Sequence, residues 1–330
     1  MKRILTTLFC LMLLSTGVLV AQQDAMFTKY LFNSLSFNPA YAGSHDYLSA
    51  ALIHRTQWWG IQGAPTTQSL TVHSPIRMKN VGIGGTLIHD EIGPTRTITA
   101  QGAYAYHVPL GGGKLSIGLQ GGITNWRANF NGVERIDPAD EAFMGEDPNL
   151  FLPNFGAGLY YYQKYWYLGF ASPNLIEHDL RDQNVQADMN AQQYRHYFAT
   201  AGAAIPLDGA ENFVFRPTAL VKNVGLFGAF ADADELDVRA PTEIDIDMSV
   251  MFYKTLWVGV AFRSAFDLEN SSIDSGDIWA AWYLDNGLRI GAAFDYTLSE
   301  LNQVAGGSFE VMLGYDMNYD VKSVVTPRYF

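Results

Sequence analysis

The 330 residues are 48% hydrophobic and 14% aromatic but only 16% charged, below the roughly 25% charged share of soluble domains. Net charge is −12, from 33 acidic against 21 basic residues. With no basic run, this excludes a nucleic-acid partner held by phosphate neutralisation.

Residues 1–21 have the form of a signal peptide: Lys2 and Arg3, an apolar stretch from Ile4 to Val20, and small Ala21 before Gln22. A lipoprotein signal modified at Cys10 is the rival reading. Bulky Phe9 beside Cys10, and an apolar stretch that continues past it, argue against that. Cys10 is the sole cysteine, so cleavage at Ala21 leaves a mature chain without disulfide, cysteine zinc site or thiol nucleophile.

Residues 22–46 read as a periplasmic lead-in. They contain Asn38-Pro39-Ala40-Tyr41-Ala42-Gly43, where proline and glycine favour turns over strand. Beyond Ala21 no apolar run approaches the roughly 20 residues of a membrane helix. Apolar residues alternate with polar ones instead. Leu115, Ile117, Leu119 and Ile123 oppose Ser116, Gly118, Gln120 and Gly122, and Ile244, Ile246, Met248 and Val250 oppose Asp245, Asp247 and Ser249. Period two marks a strand between two environments.

A soluble sandwich gives the same alternation. Here, however, the polar side mixes charges (Asp245, Asp247, Arg289, Asp295, Glu310) with glycines, while the apolar side is almost purely aliphatic and aromatic. Lipid outside and a hydrated or tightly paired lumen inside fit that contrast. Aromatic residues gather at segment ends, as in Tyr160–Tyr162 and Trp282–Tyr283, which suits the girdles of membrane barrels.

The expected strands lie near 47–56, 66–73, 81–89, 96–108, 113–126, 155–162, 166–172, 195–205, 213–222, 242–252, 256–263, 277–284, 288–296 and 309–316. Links after even-numbered strands are short, as at 163–165, 253–255 and 285–287. Those after odd-numbered strands run longer, notably 127–154, 173–194 and 223–241. Short periplasmic turns alternating with long outer loops characterise bacterial outer-membrane barrels. The expected fold is therefore all-β: a transmembrane outer-membrane β-barrel of about 14 antiparallel strands over 47–316, with a periplasmic tail over 317–330.

No chemistry-bearing constellation stands out. Seven histidines lack ligand spacing, and no nucleophile elbow or phosphate loop appears. The expectation is no enzyme, no catalytic residue and no cofactor. Two acidic loops, Asp137–Asp147 and Asp232–Asp237, have oxygen ligands that suit calcium, against the plainer reading of exposed surface. Gly82, Gly84 and Gly85 read as close packing within a strand. In Arg55-Thr56-Gln57-Trp58-Trp59-Gly60, the tryptophans are interface anchors, are buried under a loop, or form a partner patch of the kind tryptophan and arginine favour.

These stretches carry a resemblance. Gln23, Phe27, Tyr30 and Asn33 precede Asn38-Pro39-Ala40-Tyr41-Ala42-Gly43. Arg55-x-Gln57-Trp58-x-Gly60, Gly63-Ala64-Pro65-x-Thr67-Gln68 and the terminal Pro327-Arg328-Tyr329-Phe330 follow. The pattern resembles the PorP/SprF family, outer-membrane proteins of the type IX secretion system of Bacteroidetes. It implies a role in protein export, in some members coupled to gliding motility. Implied partners are periplasmic-ring or lipoprotein components of the machine, or the C-terminal domain of a large surface adhesin. Asn38, Pro39, Ala40, Tyr41 and Gly43, with Arg55, Gln57, Trp58 and Trp59, are the candidate partner-binding or structural residues. A solute-transporting barrel, with lumen charges lining its path, is the competing class.

Overall fold

The computed structural model describes residues 30–76, 80–129, 147–180, 192–224, 242–266, 271–299, 303 and 305–317. Fourteen antiparallel strands form the wall, each paired with its sequence neighbour. They are β1 (Leu48–Thr56), β2 (Thr66–Ile76), β3 (Val81–Ile92), β4 (Thr95–Leu110), β5 (Gly113–Ala128), β6 (Asn149–Tyr162) and β7 (Trp166–Ser172). The series continues with β8 (His196–Ala203), β9 (Phe213–Val224), β10 (Thr242–Phe252), β11 (Leu256–Phe266), β12 (Ser271–Tyr283), β13 (Leu288–Thr297) and β14 (Ser308–Met317). Pairing of β1 with β14, from Leu48↔Met317 to Thr56↔Phe309, closes the ring. Closure joins the first strand to the last, the condition for strands to cross a bilayer.

The alternation has the expected sense. Leu70, Leu87, Leu119, Phe155, Phe170, Ile246, Phe262, Ile278 and Leu313 all point outward and are exposed. Among the described residues no helix is long and apolar enough to span a membrane, so the strands carry the crossing.

Two strands begin six residues ahead of expectation. β6 runs on from Asn149 through Pro153, and β12 starts at Ser271. Pro153 has no N–H, which is tolerable because β7 pairs only with Ala157–Tyr162 and leaves the upper part of β6 off its ladder. Side chains satisfy the backbone there instead. Asn154 Nδ2 donates to Ile176 O (2.8 Å), Asn154 Oδ1 accepts from Ile176 N (3.0 Å), and Gln120 Nε2 donates to Pro173 O (3.0 Å). Irregular backbone survives at a barrel wall only with such partners.

The largest departure concerns the expected periplasmic lead-in. Its described part, Tyr30 onward, folds into the lumen as three short turns, Tyr30–Phe32, Ser34–Phe37 and Pro39–Tyr41. Ala40 and Ala42 are 0% exposed. An apolar run (Tyr30, Leu31, Phe32, Leu35, Phe37) must be buried, and the barrel interior offers the nearest shelter. The signal peptide and the tail beyond Met317 lie outside the described residues.

Candidate functional site

Asn38–Gly43 forms a tight turn pressed against the wall in the half of the lumen nearer the short links. Asn38 caps it: its Oδ1 accepts from Ala40 N (3.0 Å) while its Nδ2 donates to Leu159 O on β6 (3.2 Å). Pro39 sits at the first helical position, where a missing N–H does no harm. Ser116 Oγ on β5 donates to Ala40 O (2.6 Å), and Gly43 N donates to His73 Nδ1 on β2 (3.2 Å). That last bond makes Nδ1 the acceptor, so the His73 ring carries its proton on Nε2. Tyr41 packs edge-on against His73 and Tyr160, centroids 5.2 and 5.4 Å away.

The wall makes room with glycine. A Cβ on Gly82, Gly118 or Gly158 would overlap Ala42, Ala40 or the Asn38 side chain respectively. The close-packing expectation for Gly82 therefore describes contact with the inserted turn, and Gly84 faces Leu35 in the same way. Gly85 alternates to the outer face.

From this turn back to Tyr30 the segment crosses the lumen. Tyr30 OH bonds Thr218 Oγ1 on β9 (2.9 Å), and Asn33 Nδ2 donates to Ser69 Oγ on β2 (3.2 Å). Phe32 stands edge-on to Trp279 on β12 (5.4 Å), and Phe37 packs on Phe198 of β8 (5.4 Å). Strands from all around the ring thus hold it, and it forms a plug.

The arc β9–β14 with β1 is zipped by charge in register rows. One register row of it is apolar: Val214, Met251, Trp257, Ala281, Met312 and Ile53, all buried. Above it Arg55 bridges Asp295 (2.8 Å) and Glu310 (3.5 Å), Arg263 bridges Asp245 (2.9 Å), and Trp279 Nε1 donates to Asp247 Oδ2 (2.6 Å). Arg289 bridges Asp316 (3.0 Å) at the short-link end, where Ser49 Oγ donates to the same carboxylate (2.7 Å). Arg216 lies 4.0 Å over the Trp257 ring. The expected inward charges therefore form pairs across strands. At the short-link surface itself, a hydrogen bond to Glu211 holds the Lys164 ammonium above its ordinary pKa.

Arg55 also positions the β1–β2 link. Gln57, its amide turned oxygen-inward, accepts from Arg55 Nη2 and Nε at 3.2 Å. Trp59 exchanges backbone bonds with Gly307 and Gly306, both 2.8 Å. Between them Trp58 is forced to φ +48°, a left-handed conformation that strains a bulky residue. Trp58 faces inward, whereas Trp59 is 73% exposed.

Above the plug, reaching up to Trp58 at the long-link rim, lies a cavity of about 870 Å³. Tyr30 and Phe37 form its floor. The two sequence motifs are thus not one cluster: Asn38–Gly43 belongs to the plug and Arg55–Trp59 to the wall and rim of this vestibule. Residues that went unnoticed as site builders, such as Ser116, Gly118 and Gly158, carry a weak signal in their inward glycine spacing. The acidic loops fall outside the described residues apart from Asp147. Among the described residues no group of His, Cys, Asp and Glu is arranged to hold a metal ion.

A family model described as type IX secretion system membrane protein PorP/SprF matches residues 19–315. The chain belongs to the PorP/SprF family. As a PorP/SprF barrel it is an outer-membrane component of type IX secretion. No curated protein sequence matches the chain. Among solved structures, the CymD monoaromatic hydrocarbon channel is 10% identical with a TM-score of 0.50, covering 90% of this chain and 94% of that one. The TodX deltaS2S3 mutant channel is 11% identical (TM-score 0.48; 86% and 93% covered). Omp33 of Acinetobacter baumannii is 9% identical (0.45; 83% and 99%). At such identities CymD is a likeness of barrel fold alone.

Proposed function

We propose that this PorP/SprF protein is not an enzyme and not a conduit, but a secretion accessory that works by binding other proteins. Its partners are the periplasmic or lipoprotein components of the machine, the C-terminal domain of a secreted adhesin, or both. The observation that carries this reading is the plug. Tyr30–Gly43 crosses the lumen and is bonded to β2, β5, β6 and β9, so the interior is built to hold rather than to pass. With short links on the periplasmic side, the vestibule faces outward.

The test compares surface and secreted proteins of a deletion strain with those of its parent. Loss of one large surface protein supports a dedicated cargo partner. Loss of all type IX cargo supports a place in the core machine. An unchanged set of proteins rejects the secretion-partner reading.

A further inference from the structure

We infer that the vestibule is a binding site for a neutral glycan, reached from the long-link rim. This goes beyond the partner-binding reading above and assigns the cavity a ligand of its own.

The β2–β5 wall of the vestibule is a grid of polar groups. Thr67, Asp90, Thr97 and Trp126 stand side by side across β2, β3, β4 and β5 in one register row, and all four line the cavity. In the next row Thr99 hydrogen-bonds Thr124 (2.9 Å), and one row further along β4 comes Gln101. Cross-strand neighbours lie about 5 Å apart and alternate residues of one strand about 7 Å. The hydroxyls around and between sugar rings are spaced on that scale. Each of them both donates and accepts, as threonine hydroxyls and glutamine amides do.

Part of this grid is open to a ligand. Among the described residues, Thr97 Oγ1 and the Gln101 amide make no side-chain hydrogen bond, and Trp126 makes neither a ring contact nor a bond from its N–H. A half-buried indole N–H ordinarily has a partner. Trp58, held at φ +48°, is a second indole on the lining. The C–H face of a pyranose covers an indole while its hydroxyl edge reaches polar groups beside it. Tryptophans set among threonines and amides therefore fit a sugar better than an apolar ligand, whose pockets carry few polar groups. The cavity's roughly 870 Å³ lies within the roughly 300–1,000 Å³ of ligand pockets.

The charged groups on the lining make the ligand a neutral one, because they are engaged with partners in the protein. Arg55 bridges Asp295 and Glu310, Arg263 bridges Asp245, and Lys222 Nζ lies 3.9 Å from Glu243. Asp90 accepts from Thr67 Oγ1, and Asp274 has a partner as well. A charged ligand would have to break such pairs, which is costly where they are buried. Hydrogen bonding and stacking remain as the means of selection.

The test uses the purified full chain in lauryldimethylamine oxide, a detergent without a sugar headgroup. It is titrated by calorimetry with maltohexaose, with mannohexaose and with delipidated O-polysaccharide from the producing cells. At least one should bind saturably, with an affinity unmoved by added salt. Binding of a hexasaccharide points to free glycan as the ligand, and binding of the O-polysaccharide alone points to the cell's own surface glycan. Thr97→Val keeps the side-chain shape and removes the hydroxyl, and should weaken binding about tenfold. Trp126→Leu should weaken it further, with heat-modifiable mobility showing both variants still folded.

No saturable heat from any of the three probes overturns the proposal, as does an unchanged affinity in both variants, or binding that salt abolishes. Any of those results leaves the secretion role standing, because that role is read from the cell-surface proteins of the deletion strain.

Discussion

The two arcs of the barrel wall solve the same problem by opposite means. From β9 through β14 to β1, long inward side chains meet each other: Arg55 with Asp295 and Glu310, Arg263 with Asp245, Arg289 with Asp316. From β2 to β7 the inward positions are largely glycine, threonine and tyrosine, and the chain's own Asn38–Gly43 turn fills the space they leave. The turn seats on the glycine arc, while Tyr30 and Phe32 reach across to β9 and β12 of the zipped arc. The outer face is alike on both arcs, because lipid asks the same of each.

Breaking the zipped arc should cost most. Arg55→Met strands Asp295 and Glu310 without their cation, and removing one partner of a buried pair costs about 3–5 kcal/mol. Urea unfolding in detergent, followed by tryptophan fluorescence, reads that loss. On the cradle arc Gly118→Ala should cost about 1–3 kcal/mol, because the new methyl displaces the Ala40 backbone. Protease cutting near Tyr30 should rise with it, since the turn is pushed off its seat. Asn38→Ala removes the cap at Ala40 and the bond to Leu159, worth about 1 kcal/mol by the same unfolding assay. The smallest effect sharpens the contrast. Gly102 faces lipid with nothing within 4 Å of a new Cβ, so Gly102→Ala should shift stability by less than about 0.5 kcal/mol. Equal costs for Gly118→Ala and Gly102→Ala would contradict the division between inward and outward glycines.

The wall was legible because its signal is local. Alternation at Leu115–Ile123 or Ile244–Val250 and the short links at 163–165 and 285–287 needed no partner to be read, and the strand count and closure follow from them. Strand ends were less so. Pro153 hid the start of β6, since a proline is acceptable only where the neighbouring strand falls short, and that is a fact about β7. The plug was illegible for a deeper reason. Proline and glycine in Asn38–Gly43 announce a turn, but where a turn sits depends on glycines 40 to 120 positions away in sequence (Gly82, Gly118, Gly158). The apolar residues Leu31, Phe32, Leu35 and Phe37 were the available hint, too greasy for a segment standing in water. In the Arg55–Trp59 stretch the sequence showed residues fit for a contact, while only the fold shows Trp58 turned inward and Trp59 outward.

Single-channel recording of the purified wild-type chain in a planar lipid bilayer tests closure of the lumen by Tyr30–Gly43, and the expected result is a membrane that stays electrically silent after insertion. A steady, porin-like conductance from the intact chain would contradict it.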